Sequence, residues 1–441
     1  MSDFSTQSKI GEKKTGKIFS KDYILIMFSA FASAMMNFFF LAAIPLFVAY
    51  LGGTTVQAGL FITVYSIAAL IVRPIAGAFS DKYGRVKLLI VGSAICAVLS
   101  YLYGVIGVIP ILLIVRAIHG VGFSIHSTCA GASIADVLPK QRLAEGLGYF
   151  ALYATVAMAI APGIAMAIIE GNTLFDYRVL FYLTAGLCAL GTIALFFVSY
   201  ERDRKKRQAL LSQSAPDEGA AQEPLPSAKE VEEAAAEQDQ EGTSEPLPKT
   251  FLGFEYAVFP VMAVIIVLYF GVVSILSFIN IYARWMGFGN PGLFFAVSAV
   301  GILLSRVFIG KYADTRSADM FIIPGMIVMI ICMALIPSFN SMIGLVIIAF
   351  PYGLAQGTVV PTFNAMLFKR CSAARRGTAS GAFFTSLDVG FAVGAPIMGA
   401  FADAFDYRAI YWAAASFVTI ALLLYIALAT DRRFYAKQRK L

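Results

Sequence analysis

Charge is what this sequence has least of. Only 14% of its 441 residues are Asp, Glu, Lys or Arg, where a soluble globular chain carries about a quarter. That deficit excludes a pair of ordinary soluble domains, which the length alone would allow. Histidine occurs only at His119 and His126, and the five cysteines are scattered without a C-x-x-C pair. A structural metal site and a disulfide framework are therefore not expected. Paired carboxylates and a nucleophile with a nearby base are also missing, so the chain is not expected to be an enzyme and needs no cofactor. The first 22 residues are charged and lack an apolar core followed by a small-residue cleavage site, so they read as a cytoplasmic tail rather than a signal peptide.

Apolar residues fill the space that charge leaves, at 59% of the chain with a mean hydropathy of +0.77. A spanning helix needs about 20 apolar residues. Six such stretches fall at about 22–50, 56–79, 87–108, 110–137, 143–169 and 178–200, and six more at about 256–283, 291–312, 320–337, 341–368, 376–402 and 407–430. They are too long and too uniformly apolar for barrel strands, which predicts an all-α membrane protein of twelve transmembrane helices. The net charge of +7 follows this topology rather than marking a nucleic-acid surface. With both termini in the cytoplasm, eleven Lys and Arg lie in short cytoplasmic loops, five in each tail and seven in the central linker, against three outside, at Arg178, Arg284 and Arg408.

The expected organisation is a tail (1–21), a six-helix half (22–200), a linker (201–253), a second half (254–430) and a second tail (431–441). The linker opens on a basic run, Arg202 to Arg207, and holds ten acids and no aromatic residue from Asp217 to Glu245. Such a segment cannot bury enough apolar surface to fold and reads as disordered, with its basic run at the lipid surface. An offset of 233 positions maps Arg73 onto Arg306, Gly77 onto Gly310, Asp81 onto Asp314, Arg142 onto Arg375 and Gly148 onto Gly381. The two halves are thus repeats that enter the membrane from the same side, the arrangement of major facilitator proteins.

Between the second and third stretches stands Gly77-Ala-Phe-Ser-Asp81-Lys-Tyr-Gly84-Arg85-Val-Lys87, which resembles the major facilitator signature G-x-x-x-D-x-x-G-R-x-K/R. Gly77 would permit close helix contact and Gly84 a tight turn. Asp81 would cap a helix N-terminus of the other half, and Arg85 would pair with Asp136, together forming a conformational latch. The second-half copy, Gly310 to Arg316, lacks the second glycine. In the fourth stretch, Leu112 to Gly122 resembles the motif L-x-x-x-R-x-x-Q-G-x-G of proton-coupled drug antiporters in the superfamily, with His119 in place of Gln. Ala161-Pro162-Gly163 resembles part of the antiporter motif G-P-x-x-G-G. The superfamily resemblance covers the whole chain outside the tails and linker.

Ionisable residues inside a membrane span are costly and usually functional. Asp388 is the one acid deep in a span. The resemblance implies that the second helix packs on the eleventh of the other half, which makes Arg73 its expected ion-pair partner and Arg306 the competing one. Arg116, His119, Phe123 and His126, spaced three, four and three apart, share one helix face. The resemblance implies a cavity lined by the first, fourth, seventh and tenth helices. Its polar candidates are Asn37, Arg116, His119, His126, Asn280, Tyr352, Gln356 and Asn364. A cation on the fourth helix and no carboxylate on the first favour an anionic or zwitterionic, amphipathic cargo. The expectation is a monomeric, proton-coupled exporter (an antiporter) of a small organic molecule in a bacterial inner membrane, working by alternating access. Proton-coupled uptake of an organic anion is the alternative, and a non-transporting receptor or scaffold is the alternative of another class.

Overall fold

The computed structural model describes residues 18–139, 142–202, 250–251, 254–312, 317–371 and 376–431, without the side chains of 78, 81, 143, 144, 307–312, 376–378 and 380. Most of both tails and of the linker, and the Asp81 side chain, lie outside that set.

Twelve long helices make up the described chain. The first half comprises α1 (Lys21–Tyr50), α2 (Thr55–Tyr83), α3 (Arg85–Val105), α4 (Ile109–Val137), α5 (Leu143–Ile168) and α6 (Leu174–Phe196). The second comprises α7 (Tyr256–Trp285), α8 (Gly292–Tyr312), α9 (Asp319–Leu335), α10 (Met342–Arg370), α11 (Arg376–Ala404) and α12 (Tyr407–Ala429). By length and composition, eleven of these are apolar enough to cross a membrane; α8 has 21 residues, with its apolar stretch at Gly292–Arg306. Their starts follow local chemistry. Thr54 and Gln57 form a capping box on α2, Thr173 and Asp176 another on α6, and Asp406 caps α12. Large apolar side chains at Ile67, Ile71, Ile75 and Phe79 are exposed at one-turn spacing along α2, as a lipid-facing stripe requires.

The main packing contacts of one half have their mates in the other. α2 packs on α4, α3 on α4 and α6, and α1 on α5 and α6; likewise α8 packs on α10, α9 on α10 and α12, and α7 on α11 and α12. The halves meet along α2 against α11 and, reciprocally, α5 against α8. α7 contains a π-type turn at Ser274–Phe278 that packs on α1.

The two faces of the molecule differ. At the face opposite the termini, the halves cap each other's helix ends. Asp403, at the end of α11, accepts from the Thr55 and Val56 amides at the start of α2 (3.0 and 2.9 Å). Arg284, in the last turn of α7, donates to the Ile169 carbonyl (2.8 Å) and Asn290 to the Gly163 carbonyl (3.0 Å) near the end of α5. A carboxylate thus meets a helix N-terminus and a guanidinium meets a helix C-terminus, each the favourable sign for the helix dipole. Glycine makes this closure possible. A Cβ on Gly292 would collide with the Gly163 backbone, and one on Gly59 would sit 2.6 Å from the Ala395 carbonyl oxygen. Gly59 and Gly292 are themselves 233 positions apart, so both seams between the halves carry the same device.

Residues assigned to the linker by charge are partly structured. Glu201 accepts from the Arg85 and Val86 amides (2.6 and 3.2 Å), capping the start of α3. Thr250–Phe251 pairs antiparallel with Phe254–Glu255 before α7.

Candidate functional site

Between the halves, on the termini side of this seal, lies a cavity of about 390 Å³. Its polar lining is Asn37 (α1), Arg73 (α2), Arg116 (α4), Arg306 (α8), Gln356 (α10) and Asp388 (α11), with Thr155 on α5, Tyr65 and Ser66 on α2 and Tyr269 on α7. The resemblance implied the first, fourth, seventh and tenth helices; the second, fifth, eighth and eleventh line the cavity as well, because they form the two interfaces between halves.

Arg73 is the partner of Asp388. Its Nε donates to Oδ2 at 2.7 Å, and its guanidinium lies 4.9 Å from the Phe384 ring centroid. Arg306 does not compete for Asp388: it donates to the Thr155 hydroxyl at 3.3 Å, and its Nε is buried without a hydrogen-bond partner. Arg116 is 2% exposed and stacked on Tyr65, with Phe40 on its other contact, at 4.1 and 5.3 Å from the ring centroids. Its Nε and Nη1 have no hydrogen-bond partner among the described residues. Tyr65 in turn donates to the Asn37 side-chain oxygen at 3.0 Å, linking α1 and α2 under the arginine. The described lining therefore sets three cations against one carboxylate.

Several expected cavity residues are elsewhere. His119 is fully buried among Phe40, Tyr65 and Tyr103, with neither ring nitrogen hydrogen-bonded among the described residues. His126 sits 3.0 Å from the Ser29 hydroxyl between α4 and α1. Arg116 and Phe123 border the cavity while the two histidines on the same stripe do not, because α1, α2 and α3 cover the rest of that face of α4. Asn280 is buried against α1, donating to the Ala42 carbonyl at 3.5 Å. Tyr352 is buried beside Phe294, and Asn364 is half-buried towards the termini face; neither lines the cavity.

At the termini end of α2, Gly84 has φ +98°, a conformation that side chains rarely adopt, and Arg85 lies 2.8 Å from Asp136. A Cβ on Gly77 would meet nothing within 4 Å among the described residues, so the close helix contact expected there is not made among them. The residues missed in the sequence are Tyr65, Phe384, Thr155 and Glu201. Thr155 carried a signal, standing 233 positions before Asp388.

Two reciprocal interfaces, a charged cavity between them and twelve helices, eleven of them long and apolar enough to cross a membrane, define a membrane protein built from paired six-helix halves. The sequence model of the Major Facilitator Superfamily matches residues 26–393 and 292–440, so the chain belongs to that superfamily and is a multi-pass membrane transporter of small molecules, not an enzyme. It is 23% identical over 412 residues to the staphylopine export protein of Staphylococcus aureus, covering 92% of this chain and 94% of that one. It is 21% identical over 427 residues to the quinolone resistance protein NorA of the same species, covering 96% and 100%. A mutant of the nucleoside transporter NupG shares the fold with a TM-score of 0.69 at 12% identity, covering 93% of this chain and all of that one.

Proposed function

We propose that this transporter is a proton-coupled antiporter that exports a small, amphipathic organic anion or zwitterion by alternating access. The observation that carries the reading is the buried Arg116, stacked but without a carboxylate, in a cavity where Asp388 is already paired with Arg73. A guanidinium cannot lose its proton at accessible pH, so it acts as a fixed cation, and a buried cation calls for an anion. The apolar lining, including Phe38, Phe123, Met158 and Phe391, suits the remainder of an amphipathic cargo.

The distribution of Lys and Arg supports cytoplasmic termini, which makes the capped face exterior and the cavity one that loads from the cytoplasm. Export is further supported by the staphylopine exporter and NorA among the relatives. Asp388 serves as the proton site, taking a proton when the Arg73 contact opens and releasing it when that contact reforms. Arg85 and Asp136, with Asp81, Gly77 and Gly84, act as the cytoplasmic latch. The protein works as a monomer in a bacterial inner membrane.

Purified protein in proteoliposomes with an imposed pH gradient tests this, using organic anions, zwitterions and cations of matched size. Anions or zwitterions should collapse the gradient in a protein-dependent manner. Collapse by the matched cations instead would reverse the charge assignment, and accumulation running with the proton flux would make the protein a symporter.

A further inference from the structure

The two interfaces between the halves are built on one plan but hold different charges. Across α2 and α11, Arg73 donates to Asp388 at 2.7 Å and rests on Phe384 at 4.9 Å. Across α8 and α5, the positions 233 away are Arg306, Thr155 and Ala151. The equivalence is also spatial: Arg306 reaches Thr155 at 3.3 Å, as Arg73 reaches Asp388. One arginine thus has a carboxylate and an aromatic shelf, and its counterpart has a hydroxyl, with an alanine at the sequence position of the shelf. Arg306 Nε is buried with no hydrogen-bond partner among the described residues, and the residue lines the cavity. A hydroxyl satisfies one of five guanidinium N–H donors and none of the charge. Retaining a half-buried cation on an apolar-lined cavity without its counter-ion is unfavourable unless an anion visits it.

We propose that Arg306 and Thr155 form the anchoring subsite for a carboxylate of the cargo, which occupies across α5 and α8 the place that Asp388 holds across α2 and α11. This rests on the anionic-cargo reading and locates the anion within it. The cargo carboxylate accepts a two-pronged pair of hydrogen bonds from the Arg306 guanidinium. The Thr155 hydroxyl, now an acceptor from Arg306, turns to donate to the same carboxylate. Loaded, both interfaces carry an arginine–carboxylate tie of the same geometry. Empty, only one does. Cargo thereby equalises the two hinges about which the halves rock, while the fixed charge of Arg116 on α4 keeps the cavity positive for the same anion.

Melting of the purified full-length protein in detergent, titrated with phenylacetate, neutral phenylacetamide and protonated phenethylamine, decides the matter. Phenylacetate should raise the melting temperature and the other two should not. The shift should vanish in Arg306→Gln and in Thr155→Asp, and Thr155→Asp should melt above wild type without ligand, because its carboxylate supplies the missing tie. A phenylacetate shift that persists in Arg306→Gln but is lost in Arg116→Gln would move the anchor to α4, overturning this subsite and leaving an anion cavity. If Arg306→Gln fails to fold, a retained phenylacetate shift in Thr155→Asp overturns the proposal by itself. Stabilisation of wild type by phenethylamine, or by none of the three, would overturn both the subsite and the anionic-cargo reading.

Discussion

Arg116 shows how a single side chain sets the character of a cavity. Its charge is held by the faces of Tyr65 and Phe40 rather than by an acid. A planar guanidinium can stack on those faces while its edge donates in a fixed fork to a carboxylate, a geometry that a compact ammonium cannot reproduce. Arg116→Lys should therefore fold with a near-normal melting temperature yet lose transport by about tenfold or more, equivalent to roughly 1.4 kcal/mol of binding. Unchanged flux at equal expression would remove Arg116 from cargo binding. Asp388 makes a complementary case. Asp388→Asn keeps the shape but not the titrating group, so pH-driven accumulation should disappear while exchange of cargo without a gradient continues. If accumulation survives and Asn at 388 is silent, the proton travels elsewhere. Arg73, Arg116, Arg306 and Asp388 stood out in the sequence because a charge in an apolar run has few reasons to be there. His119, His126, Asn280 and Tyr352 lie off the cavity for the opposite reason: periodicity gives the face of a helix but not the neighbour covering it, and a wide stripe on α4 is mostly roofed by other helices of its own half.

At the level of elements, the helices were readable from apolar length, and the boundaries moved by a few residues. α6 begins at Leu174 because Thr173 and Asp176 cap it, ahead of the most apolar part. Glu201 was unreadable as an α3 cap, since its sequence neighbours are the basic run and its partners lie 116 and 115 positions away. The glycine seams were also invisible, because nothing in one helix announces the backbone it will touch. They give a direct expectation. Gly292→Val places branched carbons where the Gly163 backbone now lies and should wedge α5 from α8. Spin labels at the exposed Phe175 and Phe405, one on each half at that face, should report a longer separation than in the parent. An unaltered distance would mean that the seam is slack and the face is held by its caps alone.

On the scale of the whole molecule, the internal repeat foretold the architecture and also, unnoticed, its asymmetry. Matching positions place the same glycines at both seams and the same arginines at both interfaces, yet leave one carboxylate where symmetry calls for two. Which face is shut could not be read from repeats or from charge counts, because it depends on contacts between residues some 350 positions apart. One of those contacts makes the molecule's motion observable without any cargo assay. Asp403 sits at the wrong end of its own helix for a negative charge, and the N–H groups it covers belong to another. Thr55 and Val56 have no carbonyl within α2 to bond to, so their shielding lasts only as long as the halves stay together. Deuterium uptake at these two amides should then count openings of the exterior face, slow in wild type and faster in Asp403→Asn or Gly292→Val. Amides in the middle of α2 should stay silent in the same spectra, and uptake at Thr55 and Val56 that ignores both substitutions would mean that the borrowed cap does not gate the face.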